Sequence, residues 1–125
     1  MANRIGALIV DDQDDVRYLM RILIETENQG LHVSGEASGG HEALDMLDVL
    51  DPAVVVLDQM MPGLTGLETA AEILRRRPNQ RLIMCSDYMD GHLRAEAEEI
   101  GVAVCLRKDE VSRLPRAIME LVAAG

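Results

Sequence analysis

The stretch Ala53-Val54-Val55-Val56-Leu57-Asp58 is apolar without a break until it meets a carboxylate. Its β-branched valines favour an extended chain, and it is too short for an ordinary helix. A strand with no polar side chain on either face must be covered on both faces, which is the condition of a strand inside a parallel sheet flanked by helices. Four other runs have the same character: Ile5 to Val10, Leu31 to Ala37, Leu82 to Cys85, and Val102 to Leu106. The second of them alternates apolar and polar residues and suits an outer strand.

Helical spacing fills the intervals. Val16, Leu19, Met20, Leu23 and Ile24 make one apolar stripe, opposite Arg17, Arg21 and Glu25, with Asp14 as the expected N-cap. Ala43, Leu44, Leu47 and Leu50 repeat the spacing up to Asp51-Pro52, and Leu67, Ala70, Ala71 and Leu74 do so up to Pro78. A charged, weakly apolar segment around Leu93, Ala97 and Ile100 predicts the least firmly packed helix. Leu114, Ala117, Ile118, Leu121 and Val122 form the last, with Ser112 as cap and Pro115 in its first turn. Five strands alternating with five helices predict a doubly wound α/β domain over residues 1–125, a parallel sheet with helices on both faces.

Composition narrows the function. The chain has 125 residues, 48% of them hydrophobic, with no Phe or Trp, so aliphatic side chains and eight Met must fill the core. A net charge of −10 repels phosphate backbones and argues against direct binding of nucleic acid. Arg75-Arg76-Arg77 ends a helical pattern, where cations suit the negative helix terminus. The apolar runs are too short to cross a bilayer and the first residues do not form a signal peptide, which predicts a cytoplasmic protein with no membrane contact. Cys85 and Cys105 lack metal spacing and lie inside apolar runs, as small buried hydrophobes do.

The chemistry lies at the strand ends. Asp11-Asp12 follow the first strand, Asp58 the third, Ser86 the fourth and Lys108 the fifth. Parallel strands bring these ends to one edge, where open α/β folds hold their ligands. Three carboxylates there need a divalent cation and an ammonium to balance them, the makeup of a magnesium-dependent phosphoryl-acceptor site. Asp14 and Asp15 read as helix N-terminal charge, not as ligands.

In Asp58-Gln59-Met60-Met61-Pro62-Gly63-Leu64-Thr65-Gly66, together with Asp11-Asp12, Ser86 and Lys108, the chain resembles the receiver domain of two-component response regulators over nearly its whole length. The resemblance implies a flavodoxin-like (βα)5 fold. It also implies a phosphorelay in which a sensor histidine kinase or phosphotransfer protein phosphorylates Asp58. Mg2+ would be held by Asp12, Asp58 and the Met60 carbonyl, with Asp11 acting through water. Lys108 would pair with the acceptor and then with the phosphoryl oxygens, and the Ser86 hydroxyl would bond a phosphoryl oxygen. Gly63 and Gly66 are expected to permit the turn below the site. The expected protein is a signalling switch that assists its own phosphorylation and dephosphorylation, not an enzyme in its own right. Homodimers through the last helices are common in the family.

Three positions depart from the pattern. Cys105 stands three residues before the lysine, where receivers carry the aromatic that reports phosphorylation, and Tyr88 is a candidate substitute. Asp87 replaces the small residue that leaves access to the acceptor. Lys108-Asp109 resembles receivers joined to LuxR-type effectors, so the chain is expected to be either a stand-alone receiver or, by a slight preference, a receiver from a longer protein. Two competing readings remain. One is a pseudo-receiver serving as a phosphorylation-independent interaction or dimerisation module. The other, a haloacid-dehalogenase-type phosphatase, needs an aspartate two positions after the nucleophile, where this chain has Met60. A redox pair of Cys85 and Cys105 would require the two thiols to meet on neighbouring strands.

Overall fold

The computed structural model describes residues 4–26 and 30–125. Five parallel strands, β1 (Ile5–Val10), β2 (Leu31–Ala37), β3 (Val54–Leu57), β4 (Arg81–Ser86) and β5 (Val104–Arg107), lie in the order β2-β1-β3-β4-β5. Five helices connect and extend them: α1 (Asp14–Thr26), α2 (Gly40–Leu50), α3 (Gly66–Arg76), α4 (Gly91–Ile100) and α5 (Leu114–Ala123). This is the expected doubly wound, flavodoxin-like fold. The central strand β3 is buried at every position, with Val54 and Val56 facing one core and Val55 and Leu57 the other.

The side chains divide the helices between the two faces. Met20 and Ile24 of α1 join Leu114 and Ile118 of α5 on one face. Leu47 of α2, Ile73 of α3 and Ala97 of α4 cover the other. Ala97 is the one buried residue of α4, in keeping with the weak apolar stripe read there. The alternating strand β2 is an edge strand, and its register with β1 skips from Ala7↔Val33 to Leu8↔Gly35, leaving Ser34 as an extra residue.

Several local expectations are corrected. Asp14 is the first residue of α1 and does not cap it; the Gln13 carbonyl accepts the first helical bond, from Arg17 N–H. Ser112 does not cap α5 either, because residues Lys108–Arg113 form a 3₁₀ turn that runs straight into the helix, with Pro115 in the first turn as expected. The strand over 53–57 begins at Val54, the one over 82–85 spans Arg81–Ser86, and the one over 102–106 shifts to Val104–Arg107.

Arg75 and Arg76 pair with Glu72, and Arg77 reaches Asp51 beyond the end of α2, so the basic run serves the helix end. Cys85 and Cys105 do lie on neighbouring strands, but Cys105 is opposite Met84 and Cys85 opposite Leu106. The one-residue offset turns the two thiols to opposite faces of the sheet. Burial also pushes the Cys85 thiol up to about 12, so it stays protonated and inert.

Candidate functional site

Strand order decides what meets. The crossover from β1 to β2 goes to one side of the sheet and the chain then returns to β3 on the other side of β1, so the ends of β1 and β3 flank the point where the winding reverses. The ladder continues just past both strands: Asp11 N–H donates to the Ala37 carbonyl at 3.1 Å, and Asp58 N–H donates to the Val10 carbonyl at 3.0 Å. These bonds fix the two aspartates side by side, in rigid backbone. Asp11 is 1% exposed and Asp58 5%, while Asp12 is exposed.

Carboxylate oxygens of Asp11, Asp12 and Asp58 lie within 4.8 Å of one another. Lys108, from the end of β5, places Nζ 3.0 Å from Asp11 Oδ2 and 3.2 Å from Asp58 Oδ2. Burial alone would lower the Lys108 pKa, but the charges and hydrogen bonds of Asp11 and Asp58 outweigh it and the net shift is upward. Burial raises the Asp58 carboxyl above its ordinary value, the Asp11 charge adds to the rise, and Lys108 opposes it.

One ammonium does not neutralise three carboxylates. Asp11 Oδ1 accepts from Gln13 N–H at 2.9 Å, and the buried Asp11 Oδ2 has the Lys108 ammonium at 3.0 Å as its partner among the described residues. Three clustered carboxylates that share one ammonium form an all-oxygen donor set with charge to spare, which fits a hard divalent cation such as Mg2+. The Ser86 hydroxyl, at the end of β4, is buried with no hydrogen-bond partner among the described residues. Met60 lies in the loop after Asp58 with its side chain exposed.

The loop after Asp58 is pinned to the start of α3. Gly66 N–H donates to the Gln59 carbonyl at 3.0 Å and Leu67 N–H to Gln59 Oε1 at 2.8 Å, while Thr65 and Glu68 cap the helix reciprocally. A Cβ at Gly66 would collide with the Asp58 carbonyl oxygen, so glycine is needed there for close approach. Gly63 supplies the turn, with φ of +81°.

The departures from the family pattern also have definite places. The Asp87 carboxylate, though exposed, points back to 3.9 Å from Lys108 Nζ. Tyr88 is 80% exposed and does not fill the place of the missing aromatic. Cys105 is buried, and Arg94 of α4 donates to its carbonyl at 3.1 Å, so an arginine joins helix and edge strand there. The helical spacing places Arg17 on the polar stripe of α1, opposite the apolar one. Its side chain is instead 14% exposed and reaches Glu36 on β2 and the Asp11 carbonyl. The spacing Arg17-Arg21 on one helix face is the local sign of that pairing, but nothing local points to Glu36.

The chain belongs to the response regulator receiver domain family, whose pattern it matches over residues 7–119. It is similar to the transcriptional regulatory protein YdfI of Bacillus subtilis, at 36% identity over 105 residues, 84% of this chain and 48% of that protein. It is 37% identical over 94 residues to the chemotaxis protein CheY of Thermotoga maritima, covering 75% of this chain and 77% of CheY. Among solved structures it resembles a LuxR-family two-component response regulator from Aurantimonas, with a TM-score of 0.91 at 27% identity, covering 98% of this chain and 87% of that one. The chain spans about half the length of YdfI. Two-component signal transduction is thus its family's role, and the family's receivers act as signalling switches. No helix among the described residues is long and apolar enough to cross a membrane.

Proposed function

We propose that residues 1–125 form one phosphoacceptor receiver, phosphorylated on Asp58. The observation that carries this reading is the buried Asp58 carboxylate, held 3.2 Å from Lys108 and within reach of Asp11 and Asp12. Asp58 attacks the phosphorus of a phosphohistidine on a sensor kinase or phosphotransfer protein. The new P–O bond forms as the P–N bond breaks, and the imidazole leaves with a proton from its surroundings. Asp11, Asp12 and Asp58, with the Met60 carbonyl, would hold Mg2+, which neutralises charge on the transferring group when bound.

Lys108 takes up the remaining charge, exchanging a carboxylate partner for a phosphoryl oxygen. Ser86, whose buried hydroxyl has no partner among the described residues, would donate to another phosphoryl oxygen. The exposed loop that follows it, Asp87 and Tyr88, would be drawn in and would move α4. The kinase meets the protein in the cytoplasm, and a second copy of the receiver is a further candidate partner.

Asp87 beside Lys108 favours a second reading, an interaction module that no longer cycles phosphate. Reduction of the phosphorylated protein with borohydride separates the two, because an acyl phosphate at Asp58 is converted to homoserine. A peptide carrying homoserine at position 58 is expected. Its absence after exposure to a kinase and to acetyl phosphate would favour the interaction module.

A further inference from the structure

Arg17 sits one turn inside α1, and its guanidinium folds back over the turn that carries the acidic pair. Nη1 donates to the Asp11 carbonyl oxygen at 2.5 Å, Nε donates to Glu36 Oε1 at 3.1 Å, and Nη2 pairs with Asp14. Arg21, one turn further on, donates from Nε to Glu36 Oε2 at 2.7 Å. Glu36 is itself fixed, lying opposite Ile9 in the β1–β2 ladder. A carboxylate on the edge strand therefore holds two arginines of one helix. Only Arg17 passes the constraint on to the backbone of the β1–α1 turn.

That turn has few other restraints. Gln13 N–H holds Asp11 Oδ1, and Asp12 accepts no hydrogen bond among the described residues. Where Asp12 lies relative to Asp58 is thus set by the backbone path from Asp11 to Gln13, which two side-chain ties hold: the Asp11 Oδ1–Gln13 N–H bond and the Arg17 contact to the Asp11 carbonyl. We propose that Arg17 is a positioning residue for cation binding: it fixes the Asp11–Asp12 turn so that the Asp12 carboxylate faces those of Asp11 and Asp58. This rests on the reading of the three aspartates as a magnesium site. Residues that orient ligands from behind commonly change metal affinity by about ten-fold or more when removed.

Charge alone predicts the opposite sign. Removing a cation that contacts the turn carrying two of the carboxylates lessens repulsion, so Arg17→Ala would bind Mg2+ more tightly if only charge mattered. A merely structural role is separated by Arg21→Ala, which breaks the other half of the Glu36 pair and leaves the Asp11 carbonyl contact untouched.

The test is calorimetric titration of Mg2+ into the wild-type protein and into Arg17→Ala, Arg17→Lys and Arg21→Ala, with a urea midpoint for each. Arg17→Ala is expected to weaken Mg2+ binding about ten-fold. Arg21→Ala should bind like wild type despite a comparable loss of stability. Arg17→Lys keeps the charge but replaces the planar fork with a compact ammonium that does not span the separated acceptors, and should fall between. Should Arg17→Ala fail to fold, the lysine variant carries the test, and wild-type affinity there would overturn the proposal. Equal or tighter binding by Arg17→Ala, or an equal loss in Arg21→Ala, overturns it while leaving the magnesium site standing. A wild-type protein that binds no Mg2+ overturns both.

Discussion

Lys108 Nζ lies 3.2 Å from Asp58 Oδ2, joining residues fifty positions apart across the end of β4, which separates their strands. The same ammonium is 3.0 Å from Asp11 and 3.9 Å from Asp87, so it is the hub of three carboxylates. Because it is shared, the charge on Asp58 is only partly compensated. Burial and Asp11 together outweigh Lys108, and the Asp58 carboxyl is held above its ordinary 3.8.

A pH dependence of stability follows from that shift. The native state binds the Asp58 proton before the unfolded chain does, so ionised Asp58 costs stability as pH rises through its folded value. In metal-free buffer, Asp58→Asn should have the higher urea midpoint at neutral pH. The gap should close as pH falls through the folded pKa of Asp58 toward 3.8, below which both side chains are neutral. Mg2+ should stabilise the wild type and close the gap from the other side. An Asn variant less stable than wild type at neutral pH would contradict this account.

Ser86 gives a second expectation, because its hydroxyl is buried and unbonded among the described residues. An unsatisfied buried polar group costs about 1–3 kcal/mol, so Ser86→Ala should keep or gain up to about 1 kcal/mol of stability. It should also lose the change in amide exchange of residues 87–90 that phosphorylation brings to the wild type. A clear loss of stability in urea would mean that the hydroxyl is bonded in the resting protein.

Asp87 gives a third. Its carboxylate competes for Lys108 and adds negative charge where an anionic donor must arrive. At about 4 Å with water-like screening, such an interaction is worth about 1 kcal/mol, or several-fold in rate. Asp87→Ala should therefore be phosphorylated by acetyl phosphate several-fold faster than wild type in parallel time courses. Equal rates would remove Asp87 from the account.

Much of this is legible in the sequence because each site residue lies at or just past the end of a run that reads as a buried strand. Val54 to Leu57 with Asp58, and Ile5 to Val10 with Asp11, place their carboxylates once the sheet is known to be parallel. What escaped depends on pairing between distant segments. Glu36 looks like one polar position of an alternating strand, and only the β1–β2 register brings it to Arg17. The extra residue Ser34 in that register leaves no trace in the apolar pattern. At the start of α1, Asp14 has the chemistry of a cap, but the Asx turn from Asp11 Oδ1 to Gln13 N–H starts the helix one residue earlier. Cys105 is a plain buried position by sequence, and the contact of its carbonyl with Arg94 needs the packing of α4 to be seen.

The central claim is that Asp58 is a metal-assisted phosphoryl acceptor. Intact-protein mass after incubation with acetyl phosphate, with and without Mg2+ and with Asp58→Asn alongside, tests it most directly. The wild type with Mg2+ is expected to gain one phosphoryl group, and neither the variant nor the metal-free protein is expected to gain any. A wild type that stays unmodified with Mg2+ bound, both here and with a histidine-kinase donor, or an Asn variant that gains the same mass, would contradict it.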